Sequence, residues 1–329
     1  VIALTGGSGF LGSHIADALL AAGHQVRVAV RPTSNLRWLA DKPLETMVVD
    51  QRRTEACVEF LAGTAGLVHC AGAITAPDAA GYRQANVAPT ITLLSAAEQA
   101  WSDHPAATFL YISSLAAHGP ASLSAPARET DPDRPLGAYG RSKLLAETAI
   151  LTAPGVFRRV ILRPPSLYGP RDREFLPLLR AATKGWTVRL GNRLTGLSLV
   201  DGRDAAAAAV ALLESPAAAG VYYVSDRHGG YDWDEIQAAL ATAAGREVRR
   251  CDVPLALIRT VATLAEGWRR VTGSQAALLL THDRVRDLAA CGWVCDGSRL
   301  GRDTGFVAGR EAAAGFAETL EFHRGHGWL

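Results

Sequence analysis

The sequence predicts an α/β fold, a doubly wound parallel sheet with a smaller C-terminal lobe. Three observations carry that expectation. The chain opens with Val1–Gly12, VIALTGGSGFLG, an apolar run broken by spaced glycines and leading into the helical pattern Phe10–Ala22. Near-continuous apolar runs then alternate with helical stretches, the pattern of a parallel sheet covered on both faces. Beyond Leu162 the segment Arg163-Pro164-Pro165 stops that alternation, and shorter mixed elements follow.

Taken in order, Val1–Leu4 reads as a buried strand. Gln25–Val30, Glu45–Val49, Gly66–Cys70, Thr108–Ser113 and Val156–Leu162 read as further strands. Helical patterns occupy Gly81–Trp101 and Ala138–Leu151. Tyr168-Gly169-Pro170 marks a turn, Asp204–Leu213 an alanine-rich helix, and Val221–Val224 one more strand of the main sheet. Trp233–Ala243, Pro254–Val271 and Glu311–His323 read as helices of the second lobe. The expected division is therefore a dinucleotide-binding unit over 1–165 with return elements at 197–224, and a substrate lobe from 166–196 and 225–329. The active site falls in the cleft between them.

Composition narrows the function class. The 329 residues are 48% hydrophobic and 20% charged, an ordinary globular balance. A net charge of +2 gives no argument for a nucleic acid or an acidic membrane surface as partner. Five cysteines, with Cys291 and Cys295 four apart and no histidine beside them, predict free thiols in a reducing cytoplasm and no metal site. No basic leader precedes the first strand, so no signal peptide is expected; the first residue is not Met, and a short leader stays open.

The chemistry-bearing residues lie at the strand ends. Gly6, Gly9 and Gly12 leave no Cβ in the way, so the backbone of Gly6, Gly9, Phe10, Leu11 and Gly12 can approach a pyrophosphate at the positive end of a helix. In Ala138-Tyr139-Gly140-Arg141-Ser142-Lys143, Tyr139 and Lys143 share one helix face. A phenol is a poor base near neutral pH, and an adjacent ammonium favours its phenolate, which makes Tyr139 a usable general acid/base. The run Phe109–Gly119, FLYISSLAAHG, ends a strand in Ser113 and Ser114, where a hydroxyl can bond a substrate oxygen.

These motifs resemble the extended branch of the short-chain dehydrogenase/reductase superfamily, the NAD(P)-dependent epimerase/dehydratase family. The likeness runs over nearly the whole chain. It implies a Rossmann-type sheet and Ser-Tyr-Lys catalysis by Ser114, Tyr139 and Lys143, with Lys143 also holding the nicotinamide ribose. Asn86, in YRQANVAPT, matches the family's helix asparagine that supports the active site and a proton-relay water; Pro89 replaces the usual glycine there, which puts the local bend in question. Cys70, Ala71 and Gly72 of LVHCAG resemble the segment lining the riboses, Ser113 lines the nicotinamide site, and Pro164, Pro165 and Ser166 of LRPPSLYGP resemble the run that closes over it. Asp50 matches a residue that contacts the adenine.

The family's NAD-preferring members carry an acidic residue after the second strand. Here Val30-Arg31-Pro32-Thr33-Ser34 has none; Arg31 would attract a 2′-phosphate and Ser34 or Arg37 add donors, so NADP(H) is expected over NAD(H). The C-terminal half is most similar in character to 3β-hydroxysteroid dehydrogenases and dihydroflavonol-reductase-like enzymes. The expected reaction interconverts a secondary alcohol and a ketone on a small hydrophobic substrate, sterol-like or polycyclic in kind. The alternative is a nucleotide-sugar epimerase or dehydratase. Against it, Leu197-Ser198-Leu199 lacks the arginine with which sugar enzymes grip a diphosphate, and His118 stands where they have tyrosine. Pro254–Trp268 is either an ordinary core helix or a lid, and Trp186, Trp233 and Trp268 are available for an apolar pocket. Arg259, Arg269 and Arg270 alone do not establish a membrane contact. Dimerisation through Gly81–Trp101 and Ala138–Leu151 is an expectation from the family.

Overall fold

The computed structural model describes residues 1–190, 195–272, 285–287 and 289–329, and side chains throughout these except at 190 and 265–272. Seven parallel strands form the main sheet. They are β1 (Ile2–Thr5), β2 (Val26–Val30), β3 (Glu45–Val48), β4 (Gly66–His69), β5 (Thr108–Ile112), β6 (Arg158–Arg163) and β10 (Gly220–Tyr223). Their order is β10-β6-β5-β4-β1-β2-β3, so the chain reverses direction across the sheet on either side of β1. The predicted α/β class and the strands themselves are borne out, with ends shifted by one or two residues.

Alternation along each strand divides the core. Ile2 and Leu4 point into one layer with Ile15 and Leu19 of α1 (Phe10–Ala21), whereas Ala3 points into the other. The first layer is closed by α7 (Gly202–Glu214), whose Ala205, Ala206, Ala208 and Ala209 are fully buried and let it pack close to α1. The second is covered by α2 (Thr54–Leu61), α4 (Ala88–Ala100) and α5 (Ala138–Thr152), with Phe60, Leu93, Trp101, Phe109 and Phe157 between them.

The predicted helix Gly81–Trp101 is three pieces. It begins as α3 (Ala79–Tyr82), widens into a π turn over Arg83–Val87 and continues as α4, with Trp101 capping it. Pro89 explains the widening: it has no N–H to give the carbonyl four residues back, and its ring crowds that carbonyl.

The second lobe hangs on two short parallel strands, β7 (Ser166–Tyr168) and β9 (Leu199–Asp201). Its own sheet pairs β8 (Trp186–Leu190) with β11 (Arg249–Val253) in parallel. Around them pack α6 (Leu176–Thr183), α8 (Trp233–Ala244) and α11 (Ala312–Gly325), with Tyr168, Leu179, Leu240, Phe316 and Leu320 as the shared core. Helix α8 starts with a capping box between Asp232 and Glu235 and ends at Gly245 with φ of +65°, a left-handed stop. A short α10 (Ser298–Thr304) flanks β10.

Helix α9 (Leu255–Thr272) buries Ile258 and Ala262 and exposes Leu257, Val261 and Leu264. Of the aromatic residues expected to line a pocket, Trp186 is half-exposed on β8 and Trp233 packs against the lobe's core. The side chains of Trp268, Arg269 and Arg270 lie outside the described residues. None of the described helices is long and apolar enough to cross a membrane.

Candidate active site

The glycine turn leaves β1 where the sheet order reverses, the position at which such sheets bind ligands. Gly6 has φ of +75°, and a Cβ there would stand 2.7 Å from the Ala71 nitrogen. A Cβ on Gly12 would stand 2.1 Å from the Gly6 carbonyl oxygen. Any side chain would therefore push the first turn of α1 off the loop. Gly9 caps α1 with no side-chain bond. The N–H groups of Phe10, Leu11 and Gly12 are left without intrahelical acceptors at the positive end of the helix. Cys70, Ala71 and Gly72 form the opposite wall, and a Cβ on Gly72 would touch Asn86 Oδ1 at 3.1 Å and Lys143 Nζ at 3.5 Å. A narrow cradle of backbone thus runs from the helix terminus to the lysine, and these residues fit a dinucleotide.

Lys143 is buried, and its Nζ donates to the Ile112 carbonyl at 2.9 Å while lying 4.7 Å from the Tyr111 ring centre. Burial pulls its pKa down to about 8, against the opposing pull of Cys70 and Glu147. Tyr139 lies one turn earlier on α5, half-buried, with its ring 5.9 Å from that of Tyr82. Ser114 begins a single 3₁₀ turn, Leu115–Ala117, and its hydroxyl oxygen accepts from the Ala116 N–H at 3.2 Å. That bond uses a lone pair and leaves the O–H to donate.

Gly140 brings these elements together. A Cβ at Gly140 would stand 2.1 Å from the Ala116 carbonyl oxygen, so α5 rests directly on the backbone of the Ser114 turn. The sequence reading missed this role; the only signal was a glycine inside a helix, next to Tyr139, where it costs helix propensity.

Asn86 sits in the π turn, buried. Its Oδ1 accepts from the Ala73 N–H at 2.7 Å, and its Nδ2 donates to the Ala73 carbonyl at 3.1 Å and to Ser142 Oγ at 2.9 Å. Ser142 Oγ in turn donates to the Tyr139 carbonyl at 2.7 Å. Asn86 therefore ties the loop after β4 to the first turn of α5. A second buried chain reaches the π turn that holds Asn86. Thr90 Oγ1 donates to the Asn86 carbonyl at 2.7 Å, so it must accept from His69 Nε2 at 3.0 Å. His69 Nδ1 is then the acceptor for Thr5 Oγ1 at 2.7 Å, and Thr5 accepts from the Ala71 N–H at 3.2 Å. Each hydroxyl has one proton, so the chain has one direction and fixes the tautomer. Burial, reinforced by Lys143, pushes the His69 pKa down to about 3 and keeps the ring neutral.

Other expected site residues have different surroundings. The Ser113 hydroxyl donates to Glu147, inside a buried ionic group. There Arg163 is bidentate to Asp133 at 2.7 and 2.8 Å, pairs with Glu147 and donates to the Tyr223 hydroxyl at 2.8 Å. Burial alone would lower the Arg163 pKa, but the hydrogen bonds it donates to Asp133 and Glu147 outweigh that. Pro164 contributes its carbonyl to the Leu115 N–H at 2.9 Å, which fixes the turn after Ser114; Pro165 leads from there into Ser166 and β7. Arg31 and Ser34 close a turn after β2, the Arg31 N–H donating to Ser34 Oγ at 2.9 Å, with the Arg31 side chain exposed. Asp50, exposed after β3, accepts from the Arg52 side chain and backbone at 3.1 Å, and these bonds lower its pKa. Ser198 is buried, accepting from the Cys295 N–H at 3.0 Å and donating to the Gly229 carbonyl.

The pattern of an NAD-dependent epimerase/dehydratase matches residues 2–224, from β1 through β10. The chain belongs to the NAD-dependent epimerase/dehydratase family. It is 29% identical over its full length to the ceramide reductase of Caulobacter vibrioides, covering 96% of that protein. It is 28% identical to a 3 beta-hydroxysteroid dehydrogenase/Delta 5→4-isomerase of Mycobacterium tuberculosis, over 82% of this chain and 75% of that one. The Bacillus cereus UDP-glucuronic acid 4-epimerase, solved with UDP-glucuronic acid and NAD, superposes with a TM-score of 0.76 over 99% of both chains at 19% identity, a likeness of fold alone. As a family member, this chain is an NAD-dependent enzyme of the extended short-chain dehydrogenase/reductase type.

Proposed function

We propose that this enzyme interconverts a secondary alcohol and a ketone on a hydrophobic, lipid-like substrate, with NADP(H) preferred over NAD(H). The observation that carries the reading is the seating of Gly140, which follows Tyr139 on α5, against the backbone of the turn that Ser114 begins, with Lys143 one turn further along the same helix. When bound, the nicotinamide supplies the redox chemistry. In the reducing direction Tyr139 gives its phenolic proton to the carbonyl oxygen, and the Ser114 O–H holds that oxygen in line. The Lys143 ammonium stabilises negative charge developing on the Tyr139 oxygen and binds the nicotinamide ribose. Asn86 positions the start of α5 through Ser142.

Two observations support a lipid-like substrate. The relatives named above act on ceramide and hydroxysteroid by their names. The strand before Arg203 carries Leu197, Ser198 and Leu199, with Ser198 occupied by backbone partners, so no cation there meets a diphosphate. NADP(H) is supported by the exposed Arg31 at the end of β2 and the lack of a carboxylate in that turn.

The test is Tyr139→Phe. It should abolish NADPH oxidation with ketone substrates, ceramide precursors and steroids among them, while cofactor binding stays within about twofold. Turnover retained in that variant overturns the mechanism. Interconversion of UDP-sugars without net change in cofactor absorbance establishes the epimerase alternative in its place.

A further inference from the structure

Beyond Arg31, the β2–β3 connection meets the C-terminal end of the chain. The Arg37 guanidinium lies 4.4 Å from the ring centre of Trp38 and 5.1 Å from that of Trp328. Arg173, from the loop after β7, lies 4.5 Å from the same Trp328 ring. Two guanidinium groups from distant segments thus share one indole. Among the described residues, neither has a carboxylate within ion-pair distance. Arg171, one step away and 5.2 Å from Trp38, is bound to Asp17 at 2.8 Å and to Ser13 Oγ at 3.0 Å.

This arrangement is held in place, not left to chance. Phe322 and His326 of the α11 end stack at 3.9 Å, and Trp38 packs within 5.8 Å of both rings. Arg180 donates to the Trp328 carbonyl. Through Arg171 the same cluster is fastened to the second turn of α1, whose first turn faces the cradle described above. Two like charges held together on an aromatic platform repel each other, and slight burial together with Arg173 lowers the Arg37 pKa. An anion placed between them relieves that repulsion, and a phosphate accepts from both forks.

We infer that Arg37 and Arg173, carried on Trp328, form the outer half of a phosphate site whose inner half is Arg31, and that it takes the 2′-phosphate of NADP(H). The second lobe then takes part in choosing the cofactor, through a residue 142 positions beyond Arg31. This rests on the NADP(H) reading above and extends it to residues outside the dinucleotide-binding unit.

The experiment is calorimetric titration of the full chain with 2′,5′-ADP, with 5′-AMP, which lacks the 2′-phosphate, and with inorganic phosphate. Arg173→Gln and Arg37→Gln are compared with the parent; both side chains are exposed, so folding is kept. Each variant should bind 2′,5′-ADP about tenfold more weakly, the scale of one lost charge-assisted bond, and 5′-AMP unchanged. Inorganic phosphate should compete with 2′,5′-ADP in the parent. Undiminished 2′,5′-ADP binding in both variants overturns the inference. So does phosphate that binds at these arginines without displacing 2′,5′-ADP, since that marks an independent anion site. A parent that binds 2′,5′-ADP no better than 5′-AMP refutes the NADP(H) reading itself, a separate result.

Discussion

Gly140→Ala is the sharpest test of how the active site is assembled. The added methyl would lie 2.1 Å from the Ala116 carbonyl oxygen, 2.9 Å from its carbon and 3.1 Å from Pro135 Cβ. Backbone cannot rotate away as a side chain can. Opening the closest contact from 2.1 Å to a tolerable 3.0 Å moves α5 and the Ser114 turn apart by about 0.9 Å. Overpacking of this kind costs about 1–3 kcal/mol of stability, and a displacement near 1 Å between acid and substrate costs about 10²-fold in rate. The expected outcome is a hundredfold lower kcat at saturating cofactor, with cofactor affinity within a few fold of the parent. Steady-state rates, fluorescence titration of the cofactor and a thermal melt on the same preparation separate the three quantities. Gly12→Ala should give the opposite split, because its methyl meets Gly6 in the nucleotide cradle: weaker cofactor binding by tenfold or more. A Gly140→Ala enzyme with full kcat per folded molecule refutes the placement of Tyr139 by this contact.

Three further outcomes are expected. With the Lys143 pKa near 8, the ammonium is lost as pH rises through that value, so kcat/KM for ketone reduction should fall there; Lys143→Arg should move the falling limb upward, and a profile that rises through pH 8 counts against the role. Arg163→Met leaves the buried Glu147 carboxylate without its partner and should cost about 3–5 kcal/mol in urea unfolding, far more than an exposed arginine such as Arg52. Burial holds the His14 pKa at about 4, against a hydrogen bond to the Pro170 carbonyl that raises it. Its folded value is depressed, so the unfolded chain takes up a proton first and stability falls as pH drops from 6.5 towards 4, by up to about 3 kcal/mol. His14→Gln should flatten that slope, and equal slopes in both proteins rule the histidine out as the cause.

Much of this was readable in the chain because the main sheet is buried on both faces. Strands such as Thr108–Ile112 are then unbroken apolar runs, and the glycine turn and Tyr139/Lys143 spacing are local patterns. The second lobe was harder. The strand Arg249–Val253 is mostly exposed and reads as a charged loop until it is paired with Trp186–Leu190. Helix Thr54–Leu61 follows a polar turn and is only two turns long, too short for a clear period. Long-range pairings were invisible for a different reason. Nothing near Arg163 indicates that its partners are Asp133 and Glu147, and Ser113, adjacent to the expected catalytic serine, turns towards that ionic group. The bend at Pro89 was flagged by the resemblance, in which a glycine usually stands there, but only the π turn shows how the helix absorbs it.

The one-way chain of hydrogen bonds through Thr5, His69 and Thr90 makes one histidine the fastening between two walls of the site. Its upstream end grips the peptide at Ala71, against which Gly6 is pressed, and its downstream end grips the peptide at Asn86, from which α5 is steadied. A second proton on the imidazole would leave Thr5 and the ring both offering hydrogen to each other, and the link would part in its middle. While the ring stays neutral, unbroken hydrogen bonds join the peptide beneath the nucleotide cradle to the peptide that steadies the helix of Tyr139, and the imidazole is the link in that tie which acid would open.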